Sequence, residues 1–488
     1  MHPVTTRRSS VRTLPACLLR LVAPILFLSF VIGPAVGVAQ TSPAPAEPLT
    51  LRDAMRRART DARQVTAAAA RLTASEAQLR QARGHRLPTI KLEEVWIYTD
   101  SPADVFGLQL SQEVFSFADF VASDPNHPDF FDNALSRLEL SLPLYAGGEI
   151  ATRIRQAELG AEAASSRAAW TGNKTALAAA EAYIRLAQVR EQVGLLERSL
   201  ETVQAHADRA RAYEGQGMLV SSERLRAEVE VARLEDELTQ ARGRARVAEA
   251  ALSFRLNTDP RSRWELEPLP APEPLGGELD TWLAEVEGRA DLEAARRQVK
   301  AAELEAQAAL AGRKPRFGLA VREDFYDEWP FGDSGNNTSV IVQGTFEVFA
   351  GGRHRAAEAK ARAEAKAAAE DVARFTEGAQ LALRDAWEAA VTARERHATA
   401  RAALKAAQET ERITEARFEK GVVQMIDLLD ATTARREAET RELVARADAR
   451  LATVQLYHQA GRGPEAALTD PAVPEQGTPE ETQPEETD

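Results

Sequence analysis

The chain has one cysteine in 488 residues, Cys17, so no internal disulfide can brace it. Aromatic side chains are sparse at 6%, while 28% of residues are charged and alanine, glutamate, arginine and leucine fill long stretches. That composition argues against a core of large side chains and for long helices packed as coiled coil. The seven histidines are scattered, with no pair at metal-ligand spacing. No phosphate-cradling glycine loop and no nucleophile elbow occurs, so no metal, no cofactor and no catalytic residue is expected, and the chain is not read as an enzyme. Basic residues are in deficit, 61 against 74 acidic ones, and the net charge of −13 would repel nucleic-acid phosphates.

Long apolar runs are missing as well. The longest, Leu21 to Ile32, is short of the roughly 20 residues a helix needs to span a bilayer. It follows Arg7, Arg8, Arg12 and Arg20, and Gly33-Pro34 and Gly37-Val38-Ala39 come after it. This order predicts a signal peptide over residues 1–39, cleaved after Ala39. Its loss would remove Cys17 and take the net charge to −17.

What is present is a duplication. Tyr145-Ala146-Gly147-Gly148 recurs as Phe349-Ala350-Gly351-Gly352, and a turn at Gly217 recurs at Gly421. Gly148 to Gly217 and Gly352 to Gly421 are both 69 residues. Matched spacing over that distance marks a repeated structural unit. The predicted organisation is a first repeat at 40–257, a proline-rich connector at 258–277, a second repeat at 278–460 and a disordered acidic tail at 461–488. Within each repeat an opening helix (Leu49 to Arg83, Leu279 to Ala311) precedes a strand hairpin and then two long helices. Leu186, Val189, Val193, Leu196, Leu200, Val203, Ala207 and Ala210 alternate at spacings of three and four, as do Val231, Leu234, Leu238, Ala241, Ala245, Ala248 and Leu252. Such seams mean helices lying side by side.

Strands are predicted only between each proline (Pro88, Pro315) and each glycine pair. Leu138, Leu140, Leu142 and Leu144 alternate with Arg137, Glu139 and Ser141; Val340, Val342, Phe346 and Val348 alternate with Ile341, Gln343, Thr345 and Glu347 in the second half. Ile90, Leu92 and Trp96, and Phe317, Leu319 and Val321, mark the outgoing partners. Period-2 alternation with aromatics towards the ends fits a membrane-barrel strand, and equally a soluble sheet with one wet face. Geometry favours the barrel through assembly. Four strands per chain leave two edges, and in lipid each unpaired backbone group costs several kcal/mol, so several chains must close one barrel. The fold class is therefore α+β: a long antiparallel coiled-coil α-barrel joined to a transmembrane β-barrel that oligomerisation completes, with two internal repeats.

These repeats, with Arg289-Ala290-Asp291-Leu292 and the run from Phe418-Glu419-Lys420-Gly421 to Ile426-Asp427-Leu428-Leu429-Asp430-Ala431-Thr432-Thr433, resemble the outer-membrane efflux protein family of the TolC type. The resemblance covers nearly everything from Leu49 to Gln459. It implies a homotrimer with a twelve-stranded barrel in the outer-membrane lipid and a helical tunnel in the periplasm of a Gram-negative-type envelope. The tunnel tip would dock a periplasmic adaptor (membrane fusion) protein and an inner-membrane pump. By position, Asp427 and Asp430 would form carboxylate rings at the narrow end, and Glu223 would be the first-repeat acid of this pore gate. Gly217, Gly421 and Phe418 would belong to the adaptor-docking turns. Gly147, Gly148, Gly351 and Gly352 are read as the bends where barrel meets tunnel. Two departures stand out: Val423, where some members carry arginine, and Phe418, where a tyrosine is frequent. They suggest a gate closed by apolar packing. The phenylalanine-rich loop Thr99 to Asn133 is expected to fold over the barrel mouth. The function expected is a passive exit duct of a tripartite efflux or type I secretion system. The alternative is a periplasmic coiled-coil adaptor or scaffold of the cell envelope.

Overall fold

The computed structural model of the chain describes residues 46–269 and 274–468. The expected signal peptide, and the part of the acidic tail beyond Leu468, lie outside the described residues. In chain order the elements are β1 (Glu47–Leu49), α1 (Leu51–Asp61), α2 (Arg63–Gly84), β2 (Thr89–Thr99), α3 (Pro102–Ser111), α4 (Phe117–Ala122), β3 (Phe131–Ala146), α5 (Glu149–Gly215), α6 (Ser221–Arg255), β4 (Trp264–Leu266), α7 (Leu279–Glu285), α8 (Ala290–Ala311), β5 (Arg316–Asp327), β6 (Gly335–Thr345), α9 (Arg353–Glu419) and α10 (Met425–Gln459).

The duplication holds element by element. Helices α5 and α9 both have 67 residues, α6 and α10 both have 35, and α2 and α8 both have 22. At 1.5 Å per residue, α5 and α9 each run about 100 Å. Gly160, Gly172 and Gly194 do not interrupt α5, because its apolar seam holds it against neighbours on two sides. Leu186, Val189, Leu196, Val203, Ala207 and Ala210 of that seam are all buried. In the half near the sheet, α5 packs on α2 and α8, and α8 on α9; in the other half α5 packs on α6 and α10, and α10 on α9.

The opening helix of each repeat is broken where the sequence predicts continuity. Ala62 is extended (ψ 138°) between α1 and α2, and Arg289 is extended (ψ 133°) ahead of α8. Neither break carries proline. A tertiary contact holds the first: Asn257, just beyond α6, donates through Nδ2 to the Asp61 carbonyl and accepts from Arg63 Nε at 3.0 Å. The start of the first repeat and the proline-rich connector contribute a small sheet that the sequence does not predict, since β1 and β4 pair in parallel, Leu49 opposite Leu266. They roof the main core, where the buried Tyr183 hydroxyl donates to the carbonyls of Leu49 and Glu267. The chain after Gly461 is likewise ordered at first. Pro464–Leu468 forms a 3-10 turn with Pro464 and Ala467 buried, and Arg59 binds Glu465 at 2.6 Å. The expected disorder from Gly461 is thus corrected for residues 461–468, because this turn covers apolar core.

One four-stranded antiparallel sheet follows the order β2-β3-β5-β6. Its outer strands, β2 and β6, have no further partner among the described residues. Paired positions share a face, so Ile90, Leu140, Val321 and Val340 form one row, flanked by Leu92 with Leu138 and by Leu142, Leu319 and Val342. On this face Ile90, Leu92, Trp96, Val340 and Val342 are each 63–71% exposed. Trp96 and Phe325 lie towards one end, Tyr145 and Phe317 at the other. From Phe317 to Phe325 the strand runs about 26 Å. The opposite face is charged: Arg137 binds Asp324 at 2.6 and 3.1 Å, and Arg322 binds Glu139 at 2.6 Å.

The long loop between β2 and β3 is packed. Phe106, Phe115 and Phe120 meet with ring centroids 5.3–5.8 Å apart. Buried Gln112 donates to the Asp132 carbonyl and to Asn133 Oδ1, both at 3.0 Å. A Cβ added to Gly335 would sit 2.0 Å from the Ser111 carbonyl oxygen, so the loop presses across the sheet end onto the start of β6.

Candidate functional site

The two glycine turns come together at the end of the helices far from the sheet. Each closes with the same pair of bonds. Gly217 N donates to Glu214 O and Met218 N to Tyr213 O; Gly421 N donates to Phe418 O and Val422 N to Arg417 O, at 2.9–3.0 Å. Gly217 and Gly421 have φ of +72° and +69°, and no atom lies within 4 Å of a Cβ added to either. The backbone conformation, rather than crowding, demands glycine here, at about 1–2 kcal/mol for any other residue.

Between the four helix ends lies a separate apolar cluster. Its buried members include Val203, Ala207 and Ala210 of α5, Ala227 and Leu234 of α6, Phe418 of α9 and Met425, Leu428 and Leu429 of α10. Leu219 and Val423, at equivalent positions of the two turns, pack against it. Phe418 is buried and faces the Tyr213 ring, centroids 6.3 Å apart. The helix turn carrying it thus rotates its ring inward, and Phe418 contributes to the turn through its carbonyl, which accepts from Gly421 N. The apolar side chains that the turns do display are Met218, Val220 and Val422. Sequence reasoning passed over them, although apolar residues in a solvent-facing turn are themselves a signal.

Asp427 and Asp430 are both exposed, and the Leu428 and Leu429 pair between them is buried, so the two carboxylates sit on one outward face of α10. Asp427 has a second task. Its Oδ2 accepts from Gln424 N at 2.9 Å, closing a capping box at the start of α10. Glu223 occupies the equivalent position on α6, half-buried, and its Oε2 is buried without a hydrogen-bond partner among the described residues. The tip thus gathers Asp427, Asp430 and Glu223 into the first turns of two helices whose partners enclose the apolar cluster.

At the other end, Gly147 (φ +65°) and Gly148 (φ +92°) join β3 to α5; Gly351 (φ +58°) and Gly352 (φ +82°) precede α9. A Cβ on Gly147 would fall 2.6 Å from the Ala311 carbonyl oxygen, so the bend is also close-packed. These four glycines turn the chain from the sheet into the helices.

Midway, Arg289 and Asp291 of the Arg-Ala-Asp-Leu motif clamp the repeat ends together. Buried Arg289 forks onto Asp291 at 2.9 and 3.1 Å, donates to the Gln459 carbonyl and Oε1, and lies over the Trp170 ring. His458 stacks on that ring from α10, centroids 4.5 Å apart. Burial, then the Arg289 charge, pushes the His458 imidazole down to about 4. The folded state therefore binds this proton less readily than the unfolded chain, whose histidine titrates near 6.5. Stability is full above about pH 6.5 and falls by up to ~3 kcal/mol as pH drops towards 4. Thermal unfolding across that window is expected to show the loss, and His458→Gln to flatten it.

Among the described residues there is no group of three side chains able to hold a metal ion, and no helix is long and apolar enough to cross a membrane.

Residues 284–462 match the family model of outer membrane efflux proteins, the family that the sequence resembles. No curated protein matches the chain in sequence. Solved structures share its fold. A membrane protein from Pseudomonas aeruginosa is 20% identical with a TM-score of 0.72, covering 84% of this chain and 93% of its own. The outer membrane protein VceC of Vibrio cholerae is 17% identical with a TM-score of 0.70, over 85% and 96%. The open state of the MtrE outer membrane channel of Neisseria gonorrhoeae is 19% identical with a TM-score of 0.66, over 85% and 89%.

Proposed function

We propose that this chain, whose residues 284–462 match the outer membrane efflux protein family, is one of three identical subunits of a passive exit duct in the outer membrane. The observation that carries the reading is the sheet. It has a face that is apolar and exposed from Tyr145 and Phe317 to the Leu92–Leu138 pair, with Glu94 and Glu323 bonded to Ser136 and Thr338 nearer the long loop, a charged face behind it, and two edges unpaired among the described residues. An apolar face of this kind suits lipid and a charged one suits a water-filled lumen. In a bilayer, roughly five unpaired groups on each edge would cost tens of kcal/mol, well beyond the ~5–15 kcal/mol stability of a typical domain. Strands from neighbouring copies remove that cost by closing the barrel, and small symmetric rings are the usual solution.

In this reading the glycine bends pass the lumen into a tunnel lined by the long helices, which run through the periplasm. The turns at Gly217 and Gly421 would meet a periplasmic adaptor, which joins the duct to an inner-membrane pump that supplies the energy. At the tip, Asp427 and Asp430, with Glu223 beside them, would form the acidic constriction, and Leu219 and Val423 would hold it shut by apolar packing. Opening means spreading the four helix ends around that cluster.

A planar-bilayer measurement of purified protein tests this. Small cation-selective steps are expected, with selectivity falling several-fold towards unity in Asp427→Asn/Asp430→Asn. Asparagine is chosen because its side-chain oxygen still accepts the Gln424 N–H and spares the cap. Steps unchanged by the substitutions would remove the acidic gate and leave the duct. Folded protein that never conducts would contradict the duct and favour an envelope adaptor or scaffold.

A further inference from the structure

The seam that α5 turns into the tip is not apolar throughout. Ser199 and His206, seven residues apart on one face, are buried at 0% and 3% exposure. Ser199 Oγ and His206 Nδ1 have no hydrogen-bond partner among the described residues. Val203 and Ala210, three residues before His206 and four after it, share its face and belong to the apolar cluster of the tip. The serine is neutral at every pH, whereas an imidazole can take up a charge between about pH 5 and 8.

A protonated ring would find no free carboxylate there. Arg211 meets Glu228 and Glu197 meets Arg242 across α5 and α6, which sets His206 level with Arg233. Arg198 meets Glu439 across α5 and α10, which sets it level with Ala431, and Arg209 meets Glu415 on α9. The half-buried acids at this level are each held by an arginine. On α6, Arg211 and Arg224 hold Glu228, while Arg233 and the buried Arg436 hold Glu230 and Glu237. On α9 and α10, Arg435 holds Glu411 and Glu439, and Arg209 holds Glu415. Asp208, Glu235, Asp236, Glu409, Asp427 and Asp430 are exposed to water. Glu223, whose Oε2 has no partner, lies nearer the turn than Arg233 by about 15 Å along α6.

Burial, and then the Arg209 charge, hold the His206 ring below its ordinary value, with Glu415 opposing them. The closed tip therefore binds this proton less readily than an opened one, in which the ring meets water and titrates near about 6.5. Closure is favoured in full above about pH 6.5 and weakens as the pH falls below it.

We propose that His206 is an acid-sensitive latch of the tip: proton uptake at its ring sets an unpaired charge against the apolar cluster and drives the four helix ends apart. The loosening follows from the cluster itself, and only its consequence for conduction rests on the duct proposed above. There, opening would need less help from adaptor contacts at low pH.

Hydrogen exchange of the purified, folded protein, corrected for the intrinsic pH dependence of amide exchange, tests the latch. Between pH 7.5 and 5.5 the opening equilibrium around His206 and Leu428 is expected to rise by up to about tenfold, because the opened ring takes up a proton that the closed one refuses. His206→Gln, which keeps a polar side chain but cannot charge, should abolish the rise, and His458→Gln should leave it. Arg209→Gln alters a partly exposed position, frees Glu415 to accept from the ring and should reduce the rise several-fold. A rise undiminished in His206→Gln or in Arg209→Gln, or no rise in the unsubstituted protein, overturns the latch. A tip that loosens as described in protein that never conducts would remove the duct and leave the latch standing.

Discussion

Val321→Lys is expected to stop the protein inserting as a membrane oligomer, whereas Ala320→Lys, one residue away, is expected to leave insertion nearly unchanged. Val321 lies in the middle of the apolar row, opposite Leu140 and Val340. Ala320 faces the other way, opposite Ser141 and Ile341 on the face that carries the Arg137–Asp324 and Arg322–Glu139 pairs. A lysine turned to lipid at the bilayer midplane costs about 2–4 kcal/mol, and three subunits multiply that within one barrel. A lysine turned to a water-filled lumen meets solvent and carboxylates. The heat-resistant oligomer fraction in lipid vesicles measures the difference. Equal losses for both substitutions would mean that the sheet has no lipid-facing side.

The second large effect is expected at Arg289. Removing the guanidinium in Arg289→Ala leaves Asp291 half-enclosed and releases the Gln459 end of α10, and it uncovers the Trp170 ring. Breaking a buried pair from one side costs on the order of 3 kcal/mol or more, while replacing both partners by apolar residues is frequently close to neutral. Chemical unfolding should therefore rank Arg289→Ala as more damaging than the double substitution Arg289→Met/Asp291→Leu. The reverse order would show that the clamp acts through the arginine's packing and not through its charge.

Much of this architecture was legible because it rests on local rules. Glycine pairs with positive φ, seams at three-four spacing and period-2 strands each leave a mark in the residues nearby, and duplication printed every mark twice. The breaks at Ala62 and Arg289 left none, since a distant residue, Asn257, holds the first of them open. Strand β1 was equally hidden, because three residues with Pro48 in their middle acquire a strand's pattern only once β4 lies next to them. The same limit explains the tip. The outward face of Asp427 and Asp430 followed from helical spacing, but the capping bond to Gln424 needed coordinates. The inward turn of Phe418 depended on where Tyr213, two hundred residues earlier, comes to rest.

In the proposed duct one chain is an open fragment of a closed object. Light scattering of the purified protein in mild detergent, corrected for bound detergent, tests it most directly. A protein mass three times that of a single chain is expected at all working concentrations. A stable, well-folded monomer, its β2 and β6 edges still unpaired, would contradict it.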